Sequence, residues 1–274
     1  MTVPSTLGLI AGNGQYPHTV LRAARRAGVA RVVVAAFENE TDPSLAKEAD
    51  VTEWLRVGQL GRMLKFFRQA GVTDAIMAGQ IAPKNLFDLR PDLRALLLLG
   101  KLKLRHAESI FGAIADEMAR DGITLLPATT FLEDLLPQPG PVCGPSPNAK
   151  QLADVAFGFR MAKEMSRLDV GQTVVVKRGT VLAVEAFEGT DECVRRGGAL
   201  GKGGATLAKV SKPGQDFRFD VPVVGPRTIQ TAAESGIGVI AVEAGRTLLL
   251  GLDEVRALCD RHRISLVATE GGVD

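Results

Sequence analysis

The chain has 274 residues, with 33 Lys and Arg against 31 Asp and Glu for a formal charge of +2, and 46% of it is apolar. That length supports one large domain or two small ones, each able to bury a core, and excludes disorder as a class. Acids and bases are interspersed, so no global basic field exists of the kind that drives nonspecific nucleic-acid binding, and a nucleic-acid partner is not expected.

The three cysteines, Cys143, Cys193 and Cys259, are far apart and lack CxxC spacing. Neither a disulfide framework nor a thiolate zinc site follows, and reduced thiols suit the cytosol. The apolar run at residues 7–11 lacks a basic flank and is too short for a signal peptide. The leucine run at 96–99 falls far short of the roughly 18 to 20 residues that span a bilayer. A cytoplasmic protein is expected, with peripheral contact at a membrane surface as a second expectation. Glycine, at 30 residues, is in surplus over its usual share of about 7%.

In chain order, residues 7–11 read as a strand, 17–27 as a helix with Pro17 in its first turn, and the β-branched run Arg31–Phe37 as a strand. A helix at 60–70 ending at Gly71, a strand at Asp74–Ala78, a helix at 106–119 and a strand at 123–126 follow. Strands alternating with helices predict a doubly wound parallel sheet. Pro137, Pro139, Pro141, Pro145 and Pro147 then interrupt any regular element, and residues 137–147 are expected to be a linker. Beyond it come a helix at Ala149–Arg167 and a hairpin from Thr173–Lys177 to 181–187 through Arg178 and Gly179. A helix from about Asp191, strands at 205–210, 239–243, 247–250 and 265–268, and helices at 227–235 and 253–263 complete the chain. The expected class is α/β: a parallel-sheet domain over 1–136, the linker, and an α+β, mixed-sheet domain over 148–274.

The turn Gly12-Asn13-Gly14 lies between the first strand and the first helix, where glycines let backbone amides approach a phosphate at a helix N-terminus. As a dinucleotide fingerprint it is defective, because Pro17 stands where the third glycine belongs. A second such turn, Gly79-Gln80, follows another expected parallel strand, and both turns belong at the carboxyl edge where open α/β sheets bind ligands. In the second half, Lys177 ends a strand, Glu185, Glu188 and Asp191 cluster with Gly189 and Thr190, and Lys209 and Lys212 flank a turn-rich loop. Thr190 and Asp191 equally suit helix capping. Asp220, inside an apolar segment, needs a partner: a metal, a proton to take, or a cation such as Arg218. Glycine loops, lysines and carboxylates together point to phosphate-ester or pyrophosphate chemistry, for which Mg²⁺ suits oxygen ligands.

Four stretches, 7–17 (LGLIAGNGQYP), 168–177 (LDVGQTVVVK), 184–191 (VEAFEGTD) and 212–225 (KPGQDFRFDVPVVG), closely resemble the LpxI family of UDP-2,3-diacylglucosamine pyrophosphatases, in the same order and over essentially the whole chain. The resemblance implies an N-terminal Rossmann-like domain, a distinctive C-terminal domain, and a substrate held between them. It implies Mg²⁺-dependent hydrolysis of UDP-2,3-diacylglucosamine to UMP and 2,3-diacylglucosamine 1-phosphate in lipid A biosynthesis. It also implies that Asp220, in the RFDxP motif, is essential. Asp220 and Asp191 are then expected to bind the metal. Lys177 joins them in catalysis and, with Lys209 and Lys212, offsets diphosphate charge. Gly12, Asn13, Gly14, Gly79 and Gln80 are expected to contact the substrate, as are Glu188, Gly189 and Thr190.

The run 93–104, leucines followed by Lys101 and Lys103, reads either as a core helix with a solvated basic end or as a membrane contact. A homodimer is a further expectation. The competing functions are a dinucleotide oxidoreductase, against which the missing third glycine counts, and a non-catalytic lipid or nucleotide carrier.

Overall fold

Apolar residues on both faces of a strand require helices on both sides of its sheet. The computed structural model, which describes residues 2–81, 91–102 and 107–270, meets that demand in two compact units. The first runs to Leu132 and also takes in Asp216–Asp220; the second holds Glu133–Gln215 and the chain from Val221 onward.

In the first unit β1 (Thr6–Ala11), β2 (Arg31–Phe37), β3 (Val51–Leu55), β4 (Asp74–Ala78) and β5 (Thr124–Leu125) form one wholly parallel sheet in the order β3-β2-β1-β4-β5. Helix α1 (Tyr16–Arg26), with Pro17 in its first turn, buries Val20, Leu21, Ala23 and Ala24. Helix α2 (Leu60–Gln69) turns Leu60, Met63, Leu64 and Phe67 into the core. Helices α3 (Leu93–Lys101) and α4 (Ala107–Arg120) complete the unit. The Asp92 carboxylate takes the Ala95 N–H at 2.9 Å as the α3 cap and also the Gly61 N–H of α2 at 2.7 Å, joining two helix starts. Only one face of α3 reaches the core: Ala95 and Leu98 are buried, while Leu93, Leu96 and Leu97 are exposed. Of the run 93–104, residues 103 and 104 lie outside the described residues, as does His106 of the helix expected at 106–119.

The second unit centres on a mixed six-stranded sheet in the order β6-β13-β11-β9-β7-β8. Its strands are β6 (Gly140–Cys143), β7 (Thr173–Lys177), β8 (Thr180–Val184), β9 (Ala205–Lys209), β11 (Ile237–Glu243) and β13 (Ser265–Thr269); β10 (Val223–Val224) pairs with β12 (Leu248–Leu249) apart from it. Strands β9, β11 and β13 run parallel, whereas β6, β7 and β8 are antiparallel to their neighbours. Alternation along the strands sends Val175, Leu207, Ile240 and Leu266 to one core, shared with residues of α6 (Thr190–Gly201), α7 (Pro226–Glu234) and α8 (Leu252–His262). Val174, Val176 and Ala208 face the other way, against Phe159 and Ala162 of α5 (Ala149–Arg167).

The proline-rich stretch expected as a linker carries β6, and the Pro137 carbonyl accepts the Gly245 N–H at 2.9 Å within the second unit. Proline is excluded from central strands but tolerated at an edge, and β6 pairs only with β13. The strand expected over 181–187 ends at Val184, leaving Phe187 on the surface. The short strand β3 escaped the pattern altogether. All three cysteines are free thiols.

Candidate active site

In the first unit the chain leaves β1 toward β2 on one side of the sheet while β4 lies on the other, so a topological switch point falls between β1 and β4. Ligands of open α/β sheets bind beyond the strand carboxyl ends at that point. Both glycine turns sit there, locked backbone to backbone. The Gly12 N–H donates to the Ala78 carbonyl and the Asn13 N–H to the Gln80 carbonyl, each at 2.8 Å. A Cβ on Gly12 would stand 2.6 Å from the Gln80 oxygen; one on Gly79, where φ is +89°, would stand 2.5 Å from the Asn13 oxygen. No side chain fits either position. Asn13 Nδ2 donates to Glu40 Oε2 at 2.9 Å, which ties the loop after β2 to the same edge. Gly12, Asn13, Gly14, Gly79 and Gln80 thus form one backbone-lined surface.

The same unit carries Asp220. Residues Asp216–Asp220 close a single turn: the Asp220 N–H donates to the Asp216 carbonyl at 3.0 Å, and Arg218 grips the Asp216 carboxylate through Nε at 2.9 and 3.0 Å and Nη2 at 2.6 Å. That guanidinium holds the Asp216 carboxyl below the usual carboxylate range. Phe219 packs on the core of this unit, its ring 5.5 Å from that of Phe111, and the Phe217 carbonyl accepts the Ala128 N–H at 2.7 Å. The Ala128 carbonyl in turn accepts the Tyr16 hydroxyl at 2.5 Å, so Tyr16, two residues past Gly14, and the turn bearing Asp220 bond to the same residue.

In the second unit the parallel strands end at Lys209, Glu243 and Thr269. Lys209 Nζ donates to Thr190 Oγ1 at 2.8 Å, and that hydroxyl donates to Glu185 Oε1 at 2.7 Å. Glu188 pairs with Arg196, and Lys212 with Asp169. Gly189 precedes α6, its carbonyl accepting the Cys193 N–H at 3.2 Å. Asp191 accepts the Arg227 Nε–H at 2.9 Å and forms an ion pair with Arg227 Nη2 at 2.7 Å. The stem of the same loop is fixed by buried Glu243, which takes the Ser211 N–H at 2.8 Å, the Ser211 hydroxyl at 2.6 Å and Lys163 Nζ at 2.8 Å.

Lys177 lies elsewhere. Strand β7 is antiparallel to β9 and Thr173, not Lys177, pairs with Lys209, so Lys177 falls at the other end of the sheet, about 13 Å away along the strand. Its Nζ donates to the Gly201 and Gly203 carbonyls, both at 2.6 Å, at the C-terminus of α6. Lys209, Thr190 and their neighbours therefore gather at one edge without Lys177, while Asp220 and Asp191 belong to different units. Sequence reasoning gave no role to Tyr16, for which a lone tyrosine two residues after Gly14 was the available signal.

The donor set suits only one kind of magnesium site. Among the described residues no group of three or more His, Cys, Asp or Glu is placed to hold a metal, and the Asp191 carboxylate is committed to Arg227. A protein cage is therefore not built. Magnesium ordinarily takes one or two carboxylates and completes its shell with substrate phosphates and water, a demand that Asp220 fits.

Two family models cover the chain: that of the LpxI N-terminal domain matches residues 6–135 and that of the LpxI C-terminal domain residues 138–267. The UDP-2,3-diacylglucosamine pyrophosphatase LpxI of Caulobacter vibrioides is 34% identical over 267 residues, covering 93% of this chain and 94% of that protein. Likeness to solved structures is low. The biotin carboxylase domain of the Hydrogenobacter thermophilus 2-oxoglutarate carboxylase gives a TM-score of 0.29 at 16% identity, covering 66% of this chain and 36% of that one. The biotin carboxylase subunit of a pyruvate carboxylase gives 0.27 at 14% identity, covering 65% and 35%. The chain spans about a third of the length of those two proteins, and neither likeness carries an argument.

Proposed function

The chain belongs to the LpxI family, and from that premise we propose that it hydrolyses the pyrophosphate bond of UDP-2,3-diacylglucosamine to UMP and 2,3-diacylglucosamine 1-phosphate, a step of lipid A biosynthesis. The observation that carries the reading is the link, within one unit, that Tyr16 and Ala128 make between the helix start after the interlocked glycine turns and the turn that bears Asp220. Glycine turns at a strand edge, where no side chain blocks close approach and α1 begins just beyond, suit a nucleoside diphosphate, and a carboxylate in the same unit suits a water that attacks phosphorus.

In this reading Gly12, Asn13, Gly14, Gly79 and Gln80 hold the uridine diphosphate. Asp220 orients the attacking water and takes its proton. Lys209, held by Thr190, and Lys212 are the cations that the second unit would offer to a phosphate, the kind of electrostatic contribution that dominates much of phosphoryl transfer. Asp220 is also the residue that would hold Mg²⁺, which supplies charge neutralisation at the phosphate oxygens when bound. Asp191, paired with Arg227, and Lys177, bonded to the end of α6, are assigned to structure. Purified protein incubated with UDP-2,3-diacylglucosamine and Mg²⁺ is expected to release UMP, and Asp220→Asn to abolish that release while remaining folded. Near-normal turnover by a folded Asp220→Asn would overturn the assignment. UMP without Mg²⁺ in chelator would overturn the metal requirement.

A carrier would bind the substrate and release nothing, which the same assay detects.

The proposed substrate is a lipid, and α3 has a face that fits a bilayer surface holding it. Leu93, Leu96 and Leu97 are 72%, 53% and 59% exposed, at the i, i+3, i+4 spacing of one helical stripe. The helix contains no acid, Arg94 is paired inward with Glu117 and Asp121, and Lys101 stands at its exposed end. An apolar stripe with a cation beside it matches an anionic leaflet. Among the described residues no helix is long and apolar enough to cross a membrane. Sedimentation with phosphatidylglycerol-containing vesicles is expected, and to be lost in Leu96→Glu/Leu97→Glu; no sedimentation at low salt would sink the membrane reading and leave the hydrolase reading intact.

A further inference from the structure

The turn that bears Asp220 has its own clamp. Asp216 and Arg218 are two residues apart, yet their side chains meet fork to fork, and the Arg218 N–H also donates to Asp216 Oδ1 at 3.0 Å. The pair encloses the backbone that ends in the Asp220 N–H bond to the Asp216 carbonyl. Phe217 and Phe219, alternating with the pair, face the first unit through the Ala128 N–H bond and the contact with Phe111. Five consecutive residues therefore divide into two anchors, one clamp and one carboxylate.

We propose that the Asp216–Arg218 ion pair is the positioning device for Asp220, holding in one conformation the turn that Ala128 links to Tyr16. The inference rests on the hydrolase reading above, in which Asp220 acts on the substrate. The pair is half-exposed, with side-chain accessibilities of 39% and 24%, and ion pairs of that kind contribute little to global stability. A displacement of about 1 Å at a reacting group, by contrast, costs on the order of 100-fold in rate. Positioning and stability are thus separable by measurement.

Arg218→Ala and Asp216→Asn, made in the full-length chain, are expected to lower kcat about 10- to 100-fold. KM for UDP-2,3-diacylglucosamine should stay within about threefold, because the glycine turns remain intact, and the melting temperature should move by only a few degrees. Arg218→Lys keeps the charge without the fork and should recover part of kcat. Amide hydrogen exchange of the protein without substrate gives the direct reading: the Asp220 and Ala128 amides should lose protection in Arg218→Ala and keep it in Arg218→Lys. Unchanged kcat and unchanged protection, or a melting-temperature loss with normal kcat, would overturn the inference. Should Arg218→Ala not fold, Asp216→Asn, which retains an acceptor for the Arg218 N–H, decides by the same two readouts. If Asp220→Asn proves active, the hydrolase assignment of Asp220 fails, and the exchange measurement alone then decides whether the pair holds the turn. If Asp220→Asn is inactive and the clamp variants behave as wild type, the positioning inference fails by itself.

Discussion

The hydroxyl of Tyr16 donates to the carbonyl of Ala128, 112 residues further along the chain, at 2.5 Å. Tyr16 opens α1 just past the glycine turn and Gln15, and the Ala128 N–H donates to the Phe217 carbonyl of the Asp220 turn. One residue of irregular chain therefore joins the loop proposed for the nucleotide to the turn proposed for the water. Burial pushes the Tyr16 phenol well above its ordinary value, so it remains a proton donor across any working pH.

Tyr16→Phe would leave the ring in place and strand the Ala128 carbonyl. A buried acceptor without its partner costs about 1–3 kcal/mol, and chemical unfolding should report a loss in that range. Because the same bond steadies the two loops, kcat should fall with it; wild-type stability in the variant would show that water replaces the phenol.

Gly79→Ala should be more damaging than its one methyl suggests. The new Cβ would lie 2.5 Å from the Asn13 oxygen at a φ of +89°. Left-handed strain of about 1 kcal/mol or more adds to the clash, and the loop must move to relieve both. Thermal unfolding should show a lowered Tm, and UMP titration by calorimetry a weakened affinity.

Lys177→Met and Lys209→Met should separate cleanly. Lys177 binds two carbonyls at the end of α6, so its loss should lower stability by about 0.5–2 kcal/mol with kcat/KM near wild type. Lys209 sits on Thr190 at the carboxyl edge, so its loss should cut kcat/KM by at least about tenfold with little change in unfolding. Steady-state kinetics beside urea melts on both variants would expose a reversed assignment.

Acid should remove a small part of the stability through Glu48. Hydrogen bonding from Arg22, then from His18, acts against burial and holds its carboxyl at about 2, below the ordinary 4.5. A pKa lower in the folded chain contributes stability that is complete above the unfolded value and lost as pH falls from 4.5 toward 2. Arg22 is 61% exposed, so the contribution is modest and weakens with salt. The gap in unfolding free energy between wild type and Glu48→Gln should narrow over that interval; a gap independent of pH would refute the linkage.

Much of the architecture was legible in the sequence because strand and helix periodicities are local. The apolar runs at Arg31–Phe37 and Asp74–Ala78, and the helical spacing of Ala149–Arg167, carry their own signal. The glycine turns could be placed at strand ends for the same reason, and the motifs around residues 7–17 and 212–225 identified the family. Tertiary structure alone decided the rest. That Lys177 lies away from Lys209 follows from the antiparallel pairing of β7 with β9, which no property of TVVVK encodes. That residues 137–147 supply an edge strand depends on which strand is left unpaired on one side. And Asp220, expected with the C-terminal half that surrounds it in sequence, packs with the first unit because Phe219 finds its apolar partners there and Phe217 its hydrogen bond. Periodicity reports what a residue's neighbours in sequence demand; burial and pairing between distant segments choose where each chemical group is finally presented.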